Sequence, residues 1–195
     1  MLDAEAVRLG PERAHFTPFL DAAAQLGARY VNAICEDTDL GRLTEEFARL
    51  AAAALPYGIR PVIEFMAYRS VHTLADATAV AAKSGGGILI DALHVQRCGV
   101  TLDALRALDP GLVSYVQLCD APLAAPADQV AEARSARLLP GDGELPIAAL
   151  LAALPGGTPV AVEAPQAGAA DDPASFATRA RRALESVLTQ SKERP

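Results

Sequence analysis

The chain has 195 residues, of which 51% are hydrophobic, only 5% are aromatic and none is Trp. That length suits one domain with a substantial core and is short for two full α/β domains. A formal charge of -7 supplies no basic stripe to neutralise phosphates, which argues against a nucleic-acid or anionic-membrane surface and for a small-molecule partner.

Leu2 to Leu9 alternates loosely as a first strand and breaks at Gly10-Pro11. Thr17-Pro18 opens a helix with Phe19, Leu20, Ala23, Ala24 and Leu26 on its apolar face, closed by Gly27. Arg29 to Ile34 is a second strand. Asp39 to Leu55 carries the strongest helical periodicity, through Leu40, Leu43, Phe47, Leu50, Ala51 and Ala54, and stops at Pro56 and Gly58. Ile59 to Phe65 predicts a strand, Thr73 to Lys83 an Ala-rich helix, and Ile88 to Asp91 a short buried strand after the glycines 85 to 87. Thr101 to Leu108 is a helix with Thr101 as N-cap. Leu112 to Leu118 is a strand, followed by a long polar connection from Asp120 to Pro146. Ile147 to Leu154 is a helix, Pro159 to Glu163 a strand, and Pro173 to Gln190 a closing helix with a charged tail.

Strands separated by single helices imply parallel pairing, because an antiparallel hairpin needs no crossover of that length. No apolar stretch approaches a membrane span, and Met1-Leu2-Asp3-Ala4-Glu5 lacks the regions of a signal peptide, so the expected location is the cytoplasm. Cys35, Cys98 and Cys119 are an odd set without Cys-x-x-Cys spacing and read as free thiols.

Four apolar runs end in a polar side chain with oxygen to offer: Glu64, Asp91, Gln117 and Glu163. The first two intervals are one βα unit each; the third is one unit plus the long connection. The four are expected side by side at the strands' C-terminal rim, where chemistry sits in a (β/α) barrel. Taken singly, each acid would serve as well to cap the next helix. Together they form a hard-oxygen set suited to Mn²⁺, Mg²⁺ or a similar ion. His94, three residues past Asp91, is placed either to hydrogen-bond a substrate hydroxyl or to support a metal ligand from behind, and Arg97 and Arg137 are candidates for anchoring substrate oxygens. Pro140 to Pro146 reads as a shaped loop, without the pattern of an EF-hand.

The stretches Glu64, Ile-Asp91-x-x-His94, Tyr-Val-Gln117-Leu-Cys-Asp120, Arg137-Leu-Leu-Pro-Gly-Asp-Gly-Glu-Leu-Pro146 and Val-Glu163 resemble the sugar phosphate isomerase/epimerase family, the xylose-isomerase-like barrels. The resemblance covers nearly the whole chain and implies an α/β fold of the (β/α) TIM-barrel type, a single domain over residues 1–195. It implies one divalent ion, Mn²⁺, Mg²⁺ or Co²⁺, held by Glu64, Asp91, Gln117 and Glu163, with Gln117 standing where the family has His. His94 matches the family's substrate contact. The implied function is metal-dependent isomerisation or epimerisation of a sugar or polyol-derived ketose, with Glu64 and Glu163 moving the proton. A dehydratase of inosose or dehydroshikimate type and a non-catalytic truncated barrel are the alternatives.

Six strand candidates stand against eight in a closed barrel of about 250 residues. The first two βα units are expected to be missing, with Met1 falling at the family's third strand. Open edges invite pairing, so self-association as a homo-oligomer or poor solubility is expected, or else ~60 to 90 further residues upstream.

Overall fold

The computed structural model describes residues 2–193. The expectations for Met1 and for the end of the charged tail fall outside them. Among the described residues there are six strands and eight α-helices, one helix after each strand except β4 and β5, which are each followed by two, and the strand order in the sheet follows the chain, β1 to β6. The described residues pack as two compact units, 2–89 with Leu108–Ser114, and Ile90–Ala107 with 115–193.

The first unit contains β1 (Asp3–Leu9), α1 (Thr17–Gln25), β2 (Tyr30–Cys35), α2 (Leu40–Ala54), β3 (Arg60–Glu64), α3 (Leu74–Ser84) and the start of β4 (Gly87–Asp91). Its ladders are parallel, pairing Val31 with Pro61, Asn32 with Val62, Ile63 with Ile88 and Glu64 with Leu89. The helix starts follow the side chains that cap them. Asp39 accepts from the N–H groups of Gly41 and Arg42 ahead of α2, and Thr73 accepts from Asp76 N–H ahead of α3. Such caps satisfy amides that have no partner within the helix. Leu43, Phe47 and Leu50 of α2 are fully buried, as are Val31, Val62 and Ile63 of the strands. Gly86 permits that closeness, because a Cβ there would lie 2.4 Å from the Phe47 ring.

The second unit holds the end of β4, α4 (Ala92–Arg97), α5 (Leu102–Arg106), most of β5 (Val113–Leu118), α6 (Gln129–Ser135), α7 (Ile147–Ala152), β6 (Val160–Val162) and α8 (Pro173–Glu193). β5 and β6 run parallel, Gln117 opposite Ala161. Two helices were not expected. α4 begins immediately after β4, because Asp91 ends the strand and also caps the helix, its Oδ1 accepting from His94 N–H at 2.9 Å. No breaker residue separates the two elements. α6 lies in the polar connection, started by Asp128 accepting from Ala131 N–H.

The rest of that connection is held by Asp120, which is 1% exposed. Its Oδ1 accepts from the N–H groups of Ala121 and Leu145 and its Oδ2 from that of Gly141, each at 2.9 Å. Gly143 passes so near that a Cβ would lie 2.5 Å from Asp120 Oδ1. All three cysteines are free thiols. Burial, with the Glu64 charge second, pushes Cys35 up to about 12, and burial, with Asp91 second, pushes Cys98 up to about 11. Both thiols therefore stay protonated and inert near neutral pH.

Asp120→Ala strands three backbone donors and is expected to cost about 3 kcal/mol, while Asp142→Ala, at an exposed position, costs under ~0.5 kcal/mol. Urea unfolding of the two variants checks this; equal midpoints would show that the carboxylate does not hold the connection.

Candidate functional site

Glu64 is the last residue of β3 and only 4% exposed. Its Oε2 accepts from Asn32 Nδ2 of β2 at 2.8 Å. Asn32 sits opposite Val62, two residues before Glu64, so the two side chains share a face of the sheet. Sequence reading passed over Asn32. Its one signal is a lone amide in the run Tyr30-Val31-Asn32-Ala33-Ile34-Cys35.

In the second unit Asp91, His94, Arg137 and Glu163 are brought together. Asp91 is fully buried. Burial pushes its carboxyl up, but the charges of Arg137 and His94 and the bonds from His94 N–H and Arg137 outweigh that and hold it below the ordinary carboxylate range. His94, in the first turn of α4, has its pKa lowered chiefly by burial, against the opposing pull of Asp91. An ionised carboxylate and a neutral imidazole are the forms that bind a metal. A ligand oxygen of Asp91 and a ring nitrogen of His94 lie within 4.8 Å of each other.

Arg137 is 3% exposed, and its Nη1 lies 2.6 Å from Asp91 Oδ2 and 2.9 Å from Glu163 Oε2. Its Nε donates to the Ala133 carbonyl at 2.9 Å. Burial acts to lower the pKa of this guanidinium, but Asp91 and Glu163 outweigh it and keep the charge in place. Glu163 follows β6 directly, with its side chain 27% exposed. Gln117, in β5, is buried two register positions below Glu163 on the β6 side of the ladder.

Arg97 has other partners. Its Nε and Nη2 donate to Glu132 of α6 at 2.8 and 2.7 Å, and its Nη1 and Nη2 donate to the carbonyls of Leu123 and Pro122. The structure therefore places this guanidinium as a strut for the 120–146 connection, where sequence reading had it anchoring substrate.

Residues 4–186 match the family described as xylose isomerase-like TIM barrel, and the chain belongs to that family. No curated protein matches it significantly. Among solved structures, a xylose isomerase-like TIM barrel/4-hydroxyphenylpyruvate dioxygenase fusion protein is 21% identical with a TM-score of 0.82, over 98% of this chain and 34% of that one. The chain thus spans about a third of that protein. The IolI protein with a bound zinc atom is 19% identical at TM-score 0.80, covering 97% and 77%. A xylose isomerase domain protein from Alicyclobacillus acidocaldarius is 27% identical at TM-score 0.69, covering 95% and 78%. The fold is accordingly α/β of the (β/α) TIM-barrel type. Solved structures of this fold also include a D-psicose 3-epimerase, an L-ribulose 3-epimerase and a probable 3-DHS dehydratase.

Both partners of the Arg97–Glu132 pair are almost wholly buried, with side-chain exposures of 2% and 6%. Glu132→Ala leaves an uncompensated guanidinium and is expected to cost about 3–5 kcal/mol, whereas Arg97→Met with Glu132→Leu recovers most of it. Chemical unfolding of both variants decides; a double variant no more stable than the single would refute the strut.

Proposed function

We propose that this chain carries the site of a metal-dependent isomerase or epimerase of a sugar or sugar-derived ketose, working by proton abstraction beside a carbonyl. The observation that carries the reading is buried Asp91, held ionised by Arg137 next to a neutral His94. Structures with this fold support the chemistry, for they include two sugar epimerases and an IolI protein with a bound zinc atom.

The residues fit a divalent ion. Glu64, Asp91 and His94 are the three groups we assign as its holders, with Gln117 and Glu163 completing the row. Strand register supports the assignment. Glu64 pairs with Leu89, and Asp91 is two residues further along the same strand, hence on the same face. Gln117 pairs with Ala161, two residues before Glu163. Three carboxylates and one guanidinium leave two negative charges, the amount a divalent cation balances. Carboxylates with an imidazole suit Mn²⁺, Co²⁺ or Zn²⁺, and Mg²⁺ less well.

When bound, such an ion polarises a substrate carbonyl and renders the adjacent C–H acidic. Glu64, with Oε2 fixed by Asn32, takes that proton. Glu163, whose side chain is 27% exposed and so can take a proton from water, would return that proton from its own side. Arg137 keeps Asp91 ionised and pairs with Glu163, and the burial of Asp91 and His94 excludes water from them. Proton return at the neighbouring carbon gives an isomer; return to the opposite face of the same carbon gives an epimer. Loss of a β-hydroxyl after the same abstraction would be dehydration, which the probable 3-DHS dehydratase keeps in view as the second reading.

Purified protein is expected to bind about one divalent ion. Elemental analysis and thermal unfolding with Mn²⁺, Co²⁺ or Mg²⁺ read this out, and Glu64→Gln with Asp91→Asn should abolish the stabilisation. Stability unmoved by every ion would refute the metal site. A panel of ketoses, inososes and hydroxy-keto acids then separates isomerisation from dehydration, and no turnover by a metal-loaded protein would favour the non-catalytic alternative.

Gln117 offers a neutral amide oxygen where an imidazole would bind the later ions more tightly. Gln117→His should raise affinity for Co²⁺ or Mn²⁺ more than for Mg²⁺. Calorimetric titration that finds all three unchanged would mean residue 117 does not meet the ion.

A further inference from the structure

Asn32 stands in a strand that gives it no structural reason to be polar. Val31 and Ala33 on either side are fully buried, and Asn32 itself is 1% exposed. A carboxylate only accepts, so the bond to Glu64 Oε2 at 2.8 Å fixes the amide with its NH₂ towards Glu64 and its carbonyl away. That carbonyl oxygen is buried and has no hydrogen-bond partner among the described residues. A stranded acceptor is a desolvation cost that Leu, of nearly the same volume, would avoid. The strand therefore tolerates half of an unsatisfied amide for the sake of its other half.

We propose that Asn32 is the positioning residue for Glu64: its Nδ2–H holds Oε2 and thereby sets the rotation of the carboxylate that meets the ion and the substrate proton. This rests on the reading of Glu64 as a metal-holding group. A partner of this kind orients a ligating side chain without touching the metal, and its loss ordinarily weakens metal binding about 10- to 100-fold. The shared sheet face and the single parallel register between β2 and β3 supply the reach.

The test is calorimetric titration of Mn²⁺ into the full chain and into Asn32→Leu, Glu64→Gln and the double variant, with the thermal midpoint of each ion-free protein measured alongside. Asn32→Leu should bind Mn²⁺ about tenfold more weakly or worse while staying folded. Glu64→Gln should lose more, and the double variant should bind as Glu64→Gln does, because Asn32 has nothing left to position. Should Asn32→Leu not fold, Asn32→Ala carries the same comparison. Affinity unchanged in the Asn32 variant while Glu64→Gln is weakened overturns the proposal, and so does a double variant whose losses add. Affinity unchanged in Glu64→Gln, or no binding by the parent chain, overturns the underlying metal reading instead.

Discussion

A carboxylate taken out of water must be given a donor or a cation, and the candidate site is organised by how that demand is met. Asp91 has no exposed surface, yet each of its oxygens is occupied: Oδ1 by His94 N–H and Oδ2 by Arg137. Glu163 draws on the same guanidinium nitrogen. Glu64 is served by the neutral amide of Asn32. Without Arg137 and the His94 N–H, burial would push Asp91 towards its protonated form and end its use as a ligand.

The scaffold supplies the partners through economy of position. Asp91 is at once the end of β4 and the cap of α4, so the residue that offers an oxygen also fixes where His94 starts its helix turn. Arg137 is delivered by the connection after β5, which is tied down twice: by Asp120 at three backbone amides and by the Arg97–Glu132 pair. A connection of that length without such ties would be a poor place for a guanidinium that must stay within hydrogen-bond distance of two acids.

The six strands were legible because buried parallel strands leave short, near-continuous apolar runs, and Gly27, Gly58 and Gly85 end their helices with the positive φ that only glycine adopts easily. The row of strand-end acids was legible for the same reason: each interrupts an apolar run. α4 was hidden because one residue does the work of two boundary signals, and α6 because seven residues in a polar stretch show little periodicity. Arg97 and Arg137 looked alike in sequence. What separates them is Glu132, on the helix that was not foreseen, which claims Arg97 and leaves Arg137 to Asp91 and Glu163. Asn32 belongs to no motif, and only its contact with Glu64 gives it meaning.

On the proposed reading, the two glutamates are not interchangeable, because their partners differ in kind. Asn32 gives Glu64 a neutral hydrogen bond at 2.8 Å, whereas Arg137 meets the Glu163 carboxylate as an ion pair at 2.9 Å. Glu163 also receives the attraction of a full positive charge that Asp91 shares. Drawing a proton onto Glu163 therefore works against Arg137, while drawing one onto Glu64 gives up the neutral bond from Asn32. The proton-taking step falls more naturally to Glu64, and Glu163 is better suited to letting a proton go.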